Sequence, residues 1–282
     1  MSATDHGPAT GAVTVDGRRL VFDQYGTGDK VIVLLHGLLM RRSMHEPLAA
    51  ELASRGYRVV CLDMLGHGDS DRPADRRLYS MELYGRHVVG ALDELGVRRA
   101  IIGGTSLGAN IALEVAVQAP ERVHGLLIDM PVLEDSQTFW AMVIGPLLAM
   151  YSLGRPVLRA LGAAARRVPR GNYLLDILLD WLRPDPGPSR HVLLGLVYGR
   201  KAPPARDRRR ITAPTLVIAH RGDYSHAISD AYDLVGELPN ARLTRAKSIV
   251  ELRARPDRLT EEISRFLDTC WPRPEPVRLH SV

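Results

Sequence analysis

The chain alternates short, largely apolar runs with longer amphipathic stretches. Val31–His36, Val59–Leu62, Ala100–Gly103, Val123–Asp129 and Thr215–His220 are compact runs of the kind a strand buried on both faces requires. Arg242–Arg245 reads as a further, shorter strand. Val13–Val15 and Leu20–Tyr25 flank Asp16-Gly17 and predict an opening hairpin. Helical stretches lie between these runs. They are Pro47–Arg55 ending at Gly56, Met81–Leu95 with Gly96 as C-cap, Leu107–Ala119 stopped at Pro120, Ser229–Leu238 and Arg258–Thr269. Strand–helix alternation of this kind predicts a mostly parallel sheet with helices on both faces.

The pattern changes at Pro131. From there to about Pro204 the chain reads as helices broken by Pro and Gly, with no strand. The block is therefore expected to be an insertion after the sixth strand. Residues 1–130 and 205–282 form one α/β core, and 131–204 form a helical cap. The cap holds Phe139, Trp140, Met142, Leu147, Leu148, Met150, Tyr151, Trp181, Leu193, Leu194 and Tyr198. Most of these are expected to dock the cap on the core. Some should line a pocket at the carboxyl ends of the strands, where open α/β sheets bind ligands. The longest apolar stretch, Ala141–Ala165, is interrupted by Pro146, Arg155, Pro156 and Arg159, so it reads as buried helices and not as a membrane span.

Composition narrows the partners. With 282 residues and 45% hydrophobic content the chain can build a sizeable core. The net charge of +5 is almost all arginine and is scattered along the chain. The densest cluster, Arg206–Arg210, contains Asp207 and no interleaved aromatics, so it reads as solvated surface and not as a nucleic-acid site. Met1–Thr10 has no apolar run, which argues against a secretory leader and for a cytoplasmic protein. Cys61 and Cys270 are then expected to be free thiols. Clustered Cys/His ligands and H-E-x-x-H are absent, and Gly26-x-Gly28 lacks the setting of a phosphate loop, so neither metal nor cofactor is expected.

Candidate chemistry centres on Gly104-Thr105-Ser106-Leu107-Gly108. The motif follows the apolar run from Ala100 and opens the helix at Leu107, which is the context G-x-S-x-G needs. A sharp strand-to-helix turn lifts the Ser106 hydroxyl above the strand ends and aims the Leu107 N–H at an attacked atom. A second motif, His36-Gly37-Leu38-Leu39, follows the run from Val31.

These motifs, with Asp63-Met64-Leu65-Gly66-His67-Gly68-Asp69-Ser70 and Pro214–Ile218, make the chain resemble the α/β-hydrolase superfamily with a helical cap over about residues 13 to 270. The resemblance implies an eight-stranded sheet and an oxyanion hole made by the N–H groups of Leu38 and Leu107, with His36 and Gly37 shaping the oxyanion loop. It also implies a carboxylate after the seventh strand, where Asp223 stands, with Asp129 at the end of the sixth strand in reserve. One position departs from the family. The loop after the eighth strand, Ala246–Arg253, holds no histidine where the family keeps its catalytic base. Removing such a base costs on the order of 10⁶ in turnover. His226, three residues beyond Asp223, is the best substitute, although an ordinary loop histidine is the competing reading. His45, His67, His87, His124 and His191 are weaker candidates. Glu251 is a poor match to a serine hydroxyl near neutral pH.

Three functional readings follow. The first is an esterase- or lactonase-type serine hydrolase acting on a hydrophobic small molecule through Ser106, Asp223 and His226. The second is a cyclase, lyase or isomerase on the same scaffold. The third is a binding protein without catalysis. Fold alone does not choose among them.

Overall fold

The computed structural model describes residues 7–133, 143–220, 226–248, 251–254 and 257–271. Its strands are β1 (Ala9–Val15), β2 (Arg18–Tyr25), β3 (Val31–Leu35), β4 (Arg58–Leu62), β5 (Ala100–Thr105), β6 (Val123–Asp129), β7 (Thr215–His220) and β8 (Ala241–Ala246). They form one eight-stranded sheet in the order β1-β2-β4-β3-β5-β6-β7-β8. The β1–β2 and β2–β4 pairs are antiparallel and the rest are parallel. At the opening turn Asp16 and Gly17 both have positive φ, 50° and 69°, as a two-residue hairpin of the twist-matched kind demands. β1 starts earlier than its apolar pattern suggests. Ala9–Ala12 pair with Val21–Gln24 at the sheet edge, where backbone pairing suffices and no apolar side chain marks it.

Continuous apolar runs are needed because each central strand feeds two cores. Val31, Val33 and Leu35 of β3 enter the core on one face, and Ile32 and Leu34 enter the other. The first face is covered by α2 (Met81–Glu94), α3 (Leu107–Gln118) and α9 (Ile228–Glu237). The second is covered by α1 (Glu46–Ser54) and α11 (Asp257–Cys270). From α11 alone Leu259, Ile263, Phe266 and Leu267 are buried, each worth about 1.5–3 kcal/mol of transfer free energy.

Between β6 and β7 the elements among the described residues are helices: α4 (Gly145–Leu153), α5 (Arg155–Arg167), α6 (Tyr173–Asp180), α7 (Pro186–Tyr198) and the short α8 (Ala205–Arg208). Ile144, Leu147, Tyr151, Leu158 and Leu193 of this block pack with Leu39 from the loop after β3 and with Val132 just beyond β6. The Tyr173 hydroxyl donates to the Met44 carbonyl at 2.6 Å. Tyr198, expected among the docking residues, is instead 72% exposed and stacks under Arg76. Phe139, Trp140, Met142 and the chain after Trp271 lie outside the described residues. Among the described residues no helix is long and apolar enough to cross a membrane.

Two further departures have local causes. The stretch after β8, read from sequence as a loop, includes one helical turn, α10 (Glu251–Ala254). Arg208, placed by its charged neighbours on the solvated surface, is in fact 1% exposed. It pairs with Glu237 of α9 at 2.6 and 2.8 Å and donates to the Pro203 carbonyl. A buried guanidinium survives only where such acceptors surround it. Cys61 and Cys270 are free and buried.

Candidate active site

β5 ends at Thr105 and α3 begins at Leu107, leaving Ser106 alone in the turn with φ 54° and ψ −108°. A non-glycine residue held there stores on the order of 1–3 kcal/mol, so the surroundings must enforce it. Two backbone bonds do so: Ser106 N–H donates to the Asp129 carbonyl at 2.8 Å, and Asn110 N–H donates to the Ser106 carbonyl at 3.1 Å. The flanking glycines allow the approach. A Cβ on Gly104 would lie 2.4 Å from the Gly108 carbonyl carbon, and one on Gly108 would lie 2.1 Å from the Leu35 oxygen.

An imidazole reaches this serine. His226 Nε2 lies 2.9 Å from Ser106 Oγ. It comes from the segment between β7 and α9, 120 residues along the chain. At that distance a neutral Nε2 accepts the hydroxyl proton, the contact a serine nucleophile requires of its base. Asp223, the expected carboxylate, lies outside the described residues, as do Ile249 and Val250 of the chain after β8.

The loop after β3 is fixed by His36. The ring is fully buried. Its Nδ1 donates to the Gly37 carbonyl at 2.8 Å and its Nε2 accepts the Met64 N–H at 3.0 Å. Only a neutral ring protonated at Nδ1 satisfies both partners, and burial lowers its pKa accordingly. Gly37 N–H points at the Met44 sulfur, 3.3 Å away. Leu38 and Leu107 both line the pocket holding Ser106. The loop is anchored underneath by Arg42, whose guanidinium pairs with Asp23, Asp63 and Asp69 at 2.8, 2.5 and 2.7 Å.

Beneath the elbow lies a buried polar group that sequence reasoning did not assemble. Asp129 accepts from His220 Nε2 at 2.6 Å and from the Thr105 hydroxyl at 2.7 Å. Arg253 donates to Thr105 Oγ1 at 3.2 Å and stands 3.6 Å from the carboxylate. Burial alone would raise the Asp129 pKa, but the hydrogen bond and charge of His220, with Arg253 and Thr105, outweigh it and bring it to about 2. As the reserve acid, Asp129 is thus committed to His220. No motif announces this pairing, since its members come from three different strand ends and a helix.

The other candidates sit elsewhere. His45 is buried and donates Nε2–H to the Leu35 carbonyl at 3.0 Å; burial lowers its pKa to about 4. His67 packs on His36 with ring centroids 4.7 Å apart. His87 is buried in α2, His124 packs against Trp271, and His191 is part of α7. Glu251 pairs with Arg258 at 2.8 Å.

Ser106 opens into a small, largely apolar pocket. Its apolar walls are Leu38, Met81, Leu107, Val132, Ile144 and Leu196. Asn110 and Lys201, which sequence reasoning missed, complete it. The Asn110 amide is consumed by the Val132 N–H and the carbonyls of Val132 and Lys201, so it braces the wall instead of presenting a polar group. Among the described residues no three His, Cys, Asp or Glu side chains group as a metal site.

Comparison with known proteins agrees with this architecture. A sequence family described as the alpha/beta hydrolase fold matches residues 30–149. The enol-lactonase from Burkholderia xenovorans LB400 superposes with a TM-score of 0.76, covering 92% of this chain and all of that one at 23% identity. The chain has the α/β-hydrolase fold. Sequence relatives match over part of the chain. A 2-hydroxymuconate semialdehyde hydrolase of Pseudomonas putida is 38% identical over 94 residues, 31% of this chain and 33% of that protein. Epoxide hydrolase 3 of Siraitia grosvenorii is 35% identical over 117 residues, 41% of this chain and 36% of that protein. The chain thus spans about a third of the length of these relatives. The part matched by the family, residues 30–149, contains the loop after β3 and the turn at Ser106.

Proposed function

We propose that the protein is a serine hydrolase of esterase or lactonase type, acting on a neutral, hydrophobic small molecule. The observation that carries this reading is the 2.9 Å contact between His226 Nε2 and Ser106 Oγ. A binding protein, or an enzyme working without acyl-serine chemistry, has no need of that pair at the head of a strained elbow.

In the proposed cycle Ser106 Oγ attacks the acyl carbon as its proton passes to His226 Nε2. The new oxyanion accepts hydrogen bonds from the Leu38 and Leu107 N–H groups. Leu107 is the first residue of α3, where N–H groups have no acceptor within the helix. Two such donors contribute about 10² to 10³ each in turnover. Collapse breaks the acyl–oxygen bond, and His226 returns the proton to the departing alkoxide. Water then repeats the sequence on the acyl-enzyme, and Asp223 is the carboxylate assigned to orient the imidazole. The apolar walls favour an uncharged acyl group, because burying a charge there without a partner is costly.

The test is turnover of p-nitrophenyl acetate and hexanoate, and of a simple lactone, by wild type and Ser106→Ala. The expected result is serine-dependent hydrolysis that favours the longer acyl chain. Turnover unchanged in Ser106→Ala, or absent on every ester and lactone, overturns the reading.

A further inference from the structure

His220, the last residue of β7, faces two groups that can only accept. Its Nε2 lies 2.6 Å from Asp129 Oδ1, and its Nδ1 lies 3.1 Å from the Ser248 carbonyl oxygen. A neutral imidazole has a single N–H and serves one of them. Serving both requires either an imidazolium or a protonated Asp129. The second option conflicts with the surroundings of Asp129, whose other oxygen accepts from Thr105 and faces Arg253. Those donors hold the carboxylate ionised, so the proton belongs to the ring. Both side chains are almost fully buried, at 1% and 3% exposed, where a charge persists only when paired and hydrogen-bonded.

The location makes this pair more than a stray ion bridge. Asp129 ends β6, and its own carbonyl accepts the Ser106 N–H that sets the elbow. Thr105, the residue before Ser106, donates to the same carboxylate. His220 precedes His226 by six residues, and both residues line one small cavity with Met130 and Ala227. Ser248 and Arg253 bring in the chain after β8, where the fold usually keeps its catalytic histidine.

We propose that His220 is a positioning residue: a buried imidazolium whose two N–H groups tie Asp129 to the chain after β8 and so hold nucleophile and base in register. The proposal rests on the reading of Ser106 and His226 as nucleophile and base, but its charge state is measurable without any substrate. The groups around the ring are Asp129 from β6, Ser248 and Arg253 from the chain after β8, and His226 on the shared cavity, while Thr105 from β5 and His45 face Asp129. Burial pushes the His220 pKa down, but the Asp129 hydrogen bond and charge, with the Ser248 carbonyl, carry it above 6.5. Deprotonation at higher pH therefore releases Ser248 and loosens the unit.

Ring-nitrogen NMR of the uniformly ¹⁵N-labelled full chain tests the charge state. One slowly exchanging imidazolium with both N–H groups present at pH 7.5, missing in His220→Gln, supports the proposal. If His220→Gln does not fold, the wild-type spectrum decides alone, because absence of any such buried imidazolium overturns it. The rate of Ser106 labelling by a fluorophosphonate is the second readout. Wild type should lose rate as pH rises past the His220 transition. His220→Gln should label roughly 10- to 100-fold more slowly and lack that falling limb. A falling limb that survives in His220→Gln overturns the positioning role. Failure of Ser106 to label at all, with the imidazolium observed, would instead count against the hydrolase reading.

Discussion

Gly108→Ala isolates the close approach on which the elbow depends. Gly108 lies within α3 and outside the positive-φ region, so the effect of the substitution is steric and not torsional. The new Cβ would lie 2.1 Å from the Leu35 oxygen, 2.6 Å from the Leu35 carbon and 2.9 Å from the His36 oxygen. Real Cβ atoms essentially never come within 3.0 Å of such neighbours, so α3 and β3 must part by about 0.9 Å. All three obstructing atoms are backbone, and no side chain can swing away. Overpacking of this kind costs about 1–3 kcal/mol. The movement also carries Leu107 away from Leu38, and a misplacement near 1 Å costs about 10² in rate. Guanidinium unfolding measures the first effect and fluorophosphonate labelling of Ser106 the second. Gly236→Ala is the control: it sits in α9 with nothing within 4 Å of its Cβ and should stabilise by about 0.5–1 kcal/mol. Wild-type stability and labelling in Gly108→Ala would refute the argument that the glycine is there for contact distance.

Asp63→Ala removes the acceptor of the Arg42 N–H, the Asp69 N–H and the Arg42 guanidinium, and should cost about 3–5 kcal/mol in urea unfolding. Asp129 has a folded-state pKa of about 2, below its unfolded value, so its contribution is present above pH 4 and lost as pH falls through 2. Asp129→Asn should therefore be less stable than wild type by about 2 kcal/mol at neutral pH, with the gap closing towards pH 2, as followed by thermal melts across that range. Both thiols are buried, and burial raises their pKa, so DTNB should titrate neither in the native state and both in 6 M guanidinium.

Much of the fold was legible because it repeats along the chain. β3, β4, β5, β6 and β7 each required an unbroken apolar run, and the elbow required Gly104 and Gly108 at fixed spacing around Ser106. Such constraints are local and leave a local signature. The polar partnerships are not local. His226 meets Ser106 across 120 residues, and His220 meets Asp129 across 91. Neither pairing has a periodicity, so the sequence singled out His226 by position alone and gave no hint that Asp129 and His220 form a pair. Arg208 shows the same limit in reverse. Its charged neighbours suggested solvent, but its acceptor Glu237 lies on another helix.

The central claim is that His226 acts as the base for Ser106, and the second-order rate of fluorophosphonate labelling tests it most directly. Wild type, Ser106→Ala and His226→Ala are compared at pH 7.5, each first shown to be folded by circular dichroism. The account predicts serine-dependent labelling that falls by at least about 10³-fold in His226→Ala, since oxyanion-hole and binding effects alone remain. A folded His226→Ala that labels Ser106 at the wild-type rate would contradict it.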